Sequence, residues 1–237
     1  MNPAIGILGG MGAQATCDLM NKTIACTDAR NDREHIHIFV DCNTNIPDRT
    51  EAILHQGADP LPELVKSAVR LQTMGAQVLI MPCNTAHYYL DAIARFVDIP
   101  LLNMLEETAL HLRSRNIQTA AVLATDGTVQ TGLYDRALKA QGICPIYPDP
   151  AEQKAIMSLI YDCVKAGSPC AEPEKIRSLG QHLLDRGAQV LILGCTELPI
   201  AFAQLQLPFP TVDPTEILAR AAVRFVGGKV KHPQAVR

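Results

Sequence analysis

The sequence predicts an α/β fold in which parallel sheets are covered by helices and the chain forms two similar halves. Residues 75–80 read GAQVLI with Cys83 three positions on, and residues 187–192 read GAQVLI again with Cys195 three positions on. The opening run at 5–12, apolar and then glycine-rich, is mirrored at 120–128 by a second apolar run and glycine turn. Short apolar runs alternate with helical periodicity along the whole chain, as strands joined by helical crossovers require. A duplication of this kind lets two equivalent strand ends face each other across a cleft.

Bulk properties narrow the function. The chain has 237 residues, 48% of them hydrophobic, which is ordinary for a packed protein. A net charge of −3, with no basic run or basic amphipathic face, argues against nucleic acid or an anionic membrane as partner. Small-molecule chemistry is left. Residues 1–12 lack a basic start and break at Gly9 and Gly10, so they read as a strand and turn rather than a signal peptide. With no apolar stretch near the roughly 20 residues of a membrane span, a cytoplasmic protein is expected. The eight cysteines (Cys17, Cys26, Cys42, Cys83, Cys144, Cys163, Cys170 and Cys195) contain no C-x-x-C pair. They read as free thiols, most of them packed as small hydrophobes.

In order, residues 4–8 form a strand, 9–12 a glycine turn, and a helical pattern runs to about 29. Gly10-x-Gly12-x-x-Ala15 matches the dinucleotide fingerprint. Asp41 follows the strand-like run 36–40, where a ribose-binding acid is wanted. A nicotinamide-dependent oxidoreductase is therefore a second reading, beside a plain βα turn. His35 and His37 alternate with Ile36 and Ile38 and suit a solvated strand end. Residues 43–59 are polar and turn-rich, a long loop of the functional or mobile kind, with Arg49 its conspicuous cation. Asp59-Pro60 starts a helix whose apolar positions are Leu64, Ala68, Leu71 and Met74, and Gly75 stops it. After Cys83 a helix is predicted at 86–96, an extended piece at 99–102 and a helix at 106–113.

The second half repeats the scheme. The strand at 120–125 and its turn lead to a helix ending near 140, then a strand at 143–147. Asp149-Pro150 caps a helix to Lys165 that Gly167 ends, and 168–173 is a linker. Ile176, Leu179, Leu183 and Leu184 form a helical face copying the one before Gly75. Asp213-Pro214-Thr215-Glu216 carries an N-cap, a proline and a capping-box glutamate for a last helix to about 226; the basic tail from 227 is expected to fray. The division expected is 1–98 with 210–237 against 99–209.

Ligands of such sheets bind beyond the carboxyl ends of the strands, where Cys83 and Cys195 stand. A cysteine at a helix start sits near the positive end of the helix dipole, which stabilises its thiolate and brings its pKa toward neutrality. Two such thiols could take a proton from one face of a carbon and return one to the other face, one of them thiolate and one thiol at a time. Charge developing beside a carboxylate needs donors, and Asn84, Thr85 and Thr196 adjoin the cysteines. Two bland readings compete. Cys83 and His87 could be half a zinc site, but no second ligand pair completes it and no metal is expected. Either thiol could be mere packing, a reading that the repeat of polar donors after each copy weakens.

Six motifs, LGGMG (8–12), IPDRT (46–50), MPCNTAH (81–87), LAT-x-GT (123–128), IY-x-x-VKAG (160–167) and GCTE (194–197), cover nearly the whole chain. Through them the sequence resembles the aspartate/glutamate racemase family, most closely its cofactor-independent aspartate racemases. The resemblance implies two similar Rossmann-like domains with the active site in the cleft between them, no cofactor, and a homodimer. It makes Cys83 and Cys195 the acid/base pair, and Asn84 and Thr85, helped by Thr196, the holders of the α-carboxylate. Arg49 and Lys165 become the cations for the substrate's carboxylates, Arg as a two-pronged match and Lys as a point charge. Met11, Thr125, Thr128 and Glu197 complete the substrate site. Glutamate racemases carry DSG and GCTHYP where this chain has LGGMG and GCTELP, which favours aspartate over glutamate. The nearest alternatives are relatives that isomerise maleate or decarboxylate malonates, and a catalytically silent dicarboxylate sensor.

Overall fold

The computed structural model describes residues 3–169 and 173–231; Cys170 and the rest of 170–172 in the expected linker, and the tail from 232, lie outside them. Two parallel sheets form the frame. In the first half run β1 (Ala4–Gly9), α1 (Ala13–Cys26), β2 (His37–Cys42), α2 (Arg49–Leu54), α3 (Leu61–Thr73), β3 (Val78–Ile80), α4 (Leu90–Ile93) and α5 (Met104–Ser114). The second half holds β4 (Thr119–Leu123), α6 (Asp126–Gln130), α7 (Leu133–Ala140), β5 (Cys144–Ile146), α8 (Pro150–Ser158), α9 (Pro173–Asp185), β6 (Val190–Leu193), α10 (Leu198–Gln204) and β7 (Thr211–Val212). The last helix is α11 (Pro214–Phe225).

The strand orders are β2-β1-β3 and β5-β4-β6-β7. A bridge from Leu101 to Leu79 gives the first sheet, beside β3, the place that β7 holds beside β6. The two GAQVLI copies also make the same bonds. Ala76 N donates to Leu71 O and Ala188 N to Leu183 O; Gln77 N to Ala4 O and Gln189 N to Thr119 O; Leu79 N to Pro100 O and Leu191 N to Pro210 O. Gly75 (φ 103°) and Gly187 (φ 97°) end the preceding helices in the left-handed region that glycine adopts without a Cβ penalty. One local sequence thus sets one register twice, with Ile5 opposite Val78 and Ala120 opposite Val190.

The inner strands β1, β3, β4 and β6 are buried on both faces, which is why they read as continuous apolar runs, whereas β2 and β5 are partly exposed. Ile5 and Ile7 pack with Leu218 and Val223 of α11, so the chain's last helix returns to the first sheet. The opposite face gathers Leu64, Leu71, Leu79 and Cys83. In the second sheet, Leu123, Ile156, Leu183 and Cys195 share the corresponding face. Thr211 and Val212 still pair with β6, and the chain leaves the second sheet only at α11.

Four expectations change. Residues 43–59 are not one loop, because Asp48 caps α2 by accepting from Thr50 N (2.8 Å) and Glu51 N (3.0 Å). The 86–96 helix is broken into a 3-10 turn (Thr85–Tyr89), α4 and a second 3-10 turn (Ala94–Phe96). His87 explains the first break: its ring bonds the Cys83 carbonyl that its own N–H would take in an α-helix, so that N–H turns to Asn84 O. The helix from Pro150 passes into a π-helix at Leu159–Lys165, which turns Tyr161 and Lys165 toward the first half. The tail does not fray at 227: Asp28 N donates to Lys229 O and Lys231 N to Cys26 O, both 2.8 Å, around a Thr27–Val230 bridge. Among the described residues no helix is long and apolar enough to cross a membrane.

Candidate active site

Cys83 and Cys195, 6% and 7% exposed, border one small cavity. Met11, Arg49, Asn84, Thr85, Thr125, Lys165, Thr196 and Glu197 line it with them. Thr128 stands just behind, with its hydroxyl 2.9 Å from Thr85 Oγ1 and 3.2 Å from Thr125 Oγ1. About 10 Å³ is open to the centre of a water molecule, room for about one water. An amino acid enters only if the walls part.

Hydrogen bonds between the halves close the cavity. Thr85 Oγ1 lies 2.9 Å from Thr125 Oγ1, Tyr134 OH donates to Asn84 Oδ1 at 2.7 Å, and Tyr161 OH donates to Asp48 Oδ2 at 3.3 Å. Tyr134 thereby orients the Asn84 amide, whose buried Nδ2 has no hydrogen-bond partner among the described residues. Arg49 is placed by the start of α2, and its terminal nitrogens donate to Pro47 O (2.9 Å) and Met11 O (3.4 Å), while its buried Nε has no hydrogen-bond partner among the described residues. Unpaired buried donors of this kind each cost about 1–3 kcal/mol until an acceptor arrives.

Burial works against charge on Arg49, but Cys83 and Asp48 beside it outweigh that and raise its pKa. Lys165, an exposed residue at the end of the π-helix, holds Nζ 4.5 Å from the centre of the Tyr161 ring. There desolvation of the ammonium opposes the charge, while Glu197 and Cys195 prevail and raise it. Cys195 departs from the sequence expectation. Its thiol is pushed well above the usual range, first by burial and then by Glu197, whose Oε2 accepts from Sγ at 3.0 Å. The dipole argument fails here because α10 begins only at Leu198, while solvent exclusion and a carboxylate act directly on the sulfur.

The glycine turn serves packing. Gly10 has φ 94°, and a Cβ there would lie 2.2 Å from Asn43 O. Its N–H donates to Thr16 Oγ1 (2.9 Å), and Asp41, the supposed ribose acid, pairs with Arg70 at 3.3 Å. The dinucleotide reading loses both of its anchors to internal contacts.

A model of the Asp/Glu/hydantoin racemase family matches residues 8–222. The chain belongs to this family. The broad specificity amino-acid racemase RacX of Bacillus subtilis is 29% identical over 225 residues, spanning 92% of this chain and 96% of that protein. The Picrophilus torridus aspartate racemase structure matches with a TM-score of 0.86 and 30% identity, over 97% of this chain and 96% of that one. A glutamate racemase of Aquifex pyrophilus is 26% identical over 172 residues, 66% of this chain and 61% of that protein. These relatives are named as amino-acid racemases, which are isomerases.

In this racemase-family chain, motif reading missed Asp48, Thr50 and Tyr161, all of which line the cavity. Asp48 and Thr50 lie inside IPDRT and Tyr161 inside IY-x-x-VKAG, so the signal was on hand but pointed to their charged neighbours. His87, the supposed metal ligand, has both ring nitrogens engaged: Nδ1 is 2.8 Å from Cys83 O, and Met104 N donates to Nε2 at 3.1 Å. Nε2 is therefore the acceptor and Nδ1–H the donor, a neutral ring that braces the Cys83 turn.

Burial lowers the His87 pKa from 6.5 to about 4. As pH falls, the unfolded chain takes up this proton first, so stability is intact above about pH 6.5 and is lost toward about pH 4. The expected loss between about pH 7 and about pH 5 is about 2 kcal/mol. Urea unfolding of wild type and His87→Gln at the two pH values checks it; equal pH dependence in both proteins would refute the assignment.

Proposed function

We propose that this family member interconverts L- and D-aspartate by a two-base mechanism, without a cofactor, with Cys83 and Cys195 as the acid/base pair. The observation that carries this reading is that two thiols from equivalent strand ends border one cavity. In one direction the Cys83 thiolate removes the α-proton: the Cα–H bond breaks, an S–H bond forms, and the electron pair spreads into the α-carboxylate. Cys195 then gives its thiol proton to the opposite face of Cα, and a new Cα–H bond completes the inversion. The other direction exchanges the roles. The unpartnered Asn84 Nδ2 and the Thr85 hydroxyl suit the α-carboxylate, where negative charge develops.

Arg49, with its free Nε, and Lys165 suit a second carboxylate, which favours a dicarboxylic amino acid. Aspartate over glutamate is supported by LGGMG and GCTELP and by the likeness to the Picrophilus aspartate racemase. The likeness to RacX favours a second reading, a wider substrate range. The two units in this proposal start from the division read from the sequence, 1–98 with 210–237 against 99–209, with its second boundary moved past β7, which pairs with β6, and with the cavity between them.

The experiment is a panel of amino acids in heavy water without added pyridoxal phosphate or metal, followed by chiral analysis and proton exchange at Cα. Aspartate is expected to exchange and invert fastest. Binding with no exchange would point to a sensor, and inversion of many neutral amino acids to the wider range.

A further inference from the structure

We propose that Glu197 is a positioning residue whose carboxylate keeps the proton on Cys195 between turnovers, so that Cys195 is the acid and Cys83 the base of the resting enzyme. The inference rests on the two-thiol reading above. Its starting point is a break in the internal repeat: two residues after Cys83 comes the neutral Thr85, and two residues after Cys195 comes Glu197.

Glu197 Oε2 lies 3.0 Å from Cys195 Sγ and 3.2 Å from Thr196 Oγ1. Glu197 is 5% exposed and Cys195 7%, so little water screens the contact. While the thiol keeps its proton, it donates to the carboxylate and both groups are satisfied. Once the proton leaves, two anions face each other at contact distance in a site shielded from solvent.

The other charged or titratable groups around Cys195 are Lys165 and Tyr161 from the π-helix, Tyr134 from α7 and, across the cavity, Cys83 with Arg49 and Asp48. Of these Lys165 favours a thiolate at Cys195, as does the backbone N–H of Glu197 itself. Arg49 is engaged with Cys83, and Lys165 is drawn by Glu197 more strongly than by Cys195. The cations therefore do not restore the symmetry that Glu197 breaks.

The proton balance follows. When Cys83 takes the α-proton and Cys195 gives its own to the opposite face, one proton has moved from Cys195 to Cys83. The product enzyme then holds a Cys195 thiolate against Glu197, its disfavoured form. It returns by taking a proton onto Cys195 and releasing one from Cys83, through water or by turning over the other enantiomer. Because the equilibrium constant between enantiomers is one, kcat/KM stays equal in the two directions. The asymmetry shows instead in how each thiol titrates.

The test is alkylation of the full-length protein by iodoacetamide, from neutral to strongly alkaline pH, with Cys83 and Cys195 followed separately by peptide mass spectrometry. Access scales the rate of each thiol at every pH, whereas ionisation sets the pH at which its reactivity rises, so each onset is read from that thiol's own profile. In wild type, Cys195 is expected to become reactive at higher pH than Cys83. Glu197→Gln keeps an acceptor but no charge, and is expected to lower the onset at Cys195 by about one pH unit, roughly tenfold in rate at a fixed pH, with Cys83 unchanged. Glu197→Asp is expected to keep the late onset. A wild-type Cys195 that reacts at or below the onset of Cys83, or a Gln variant with an unmoved Cys195 profile, would overturn the proposal. The wild-type comparison needs no variant to fold, and no arm reads racemisation, so failure here is separate from failure of the aspartate reading.

Discussion

Replacing Cys83 by serine is expected to lower aspartate racemisation by about three orders of magnitude, and Cys195→Ser to do the same. General acid–base groups contribute roughly 10²–10⁴ in rate, and inversion needs one on each face of Cα. A serine hydroxyl is too weak an acid to take either part near neutral pH. The two variants should nonetheless differ from an enzyme with a collapsed site. Each keeps one thiol, so each should still wash the α-proton of one enantiomer into heavy water while inverting neither, and the favoured enantiomer should be opposite in the two. The replacement is nearly isosteric at two buried positions, and the new hydroxyl of Cys195→Ser can still donate to Glu197, so a stability change within about 1 kcal/mol is expected. Chiral analysis with Cα exchange checks both variants. Racemisation at the wild-type rate in either would remove that cysteine from the mechanism.

Arg49→Met carries the second large effect. Arg49 is 7% exposed, its terminal nitrogens are held by backbone carbonyls, and no carboxylate neutralises it through a direct ion pair among the described residues. A buried guanidinium held by backbone carbonyls beside Cys83, with its Nε unpaired, can take a substrate anion as well. Hydrogen bonds to charged groups contribute about 1.5–3 kcal/mol each, so loss of two to a substrate carboxylate predicts a fall in kcat/KM of roughly 10²–10⁴. Arg49→Lys should recover only part of it, because an ammonium supplies the charge without the fork. Steady-state kinetics of the three proteins checks this. An Arg49→Met enzyme with unchanged KM and kcat would place the substrate's second carboxylate elsewhere.

The Arg49 and Cys195 sites show where sequence reading stops. IPDRT singled out Arg49 and supplies two of its acceptors, Ile46 O and Pro47 O, yet the reason it can be charged and buried lies also in Met11 and Cys83, which other segments bring to it. The same motif holds Asp48, which looked like a turn residue and proves to be both the cap of α2 and the acceptor for Tyr161 from the far half. Tyr161 itself was hidden because a helical period was assumed, and the π-helix turns it onto a face the 3.6-residue period does not forecast. The tail at 227–231 was misread for a similar reason: a two-bond attachment to residues 26–28 leaves no periodic trace.

What the sequence determined by itself is the local framework. GAQVLI twice, each copy opened by a glycine in the left-handed region and followed by a cysteine, suffices to place two equivalent thiols at two equivalent strand ends, because helix stops and the apolar runs of strands depend on near neighbours. Only the tertiary structure decided that the two ends border one cavity, that His87 is a neutral brace, and that a carboxylate stands against the Cys195 sulfur. Cys195 was expected to be acidified by a helix start, whereas burial and then Glu197, whose Oε2 lies 3.0 Å from its sulfur, raise its pKa. The state of an ionisable group depends on excluded water and on charges within a few ångströms, and those are supplied by chain segments far apart in sequence.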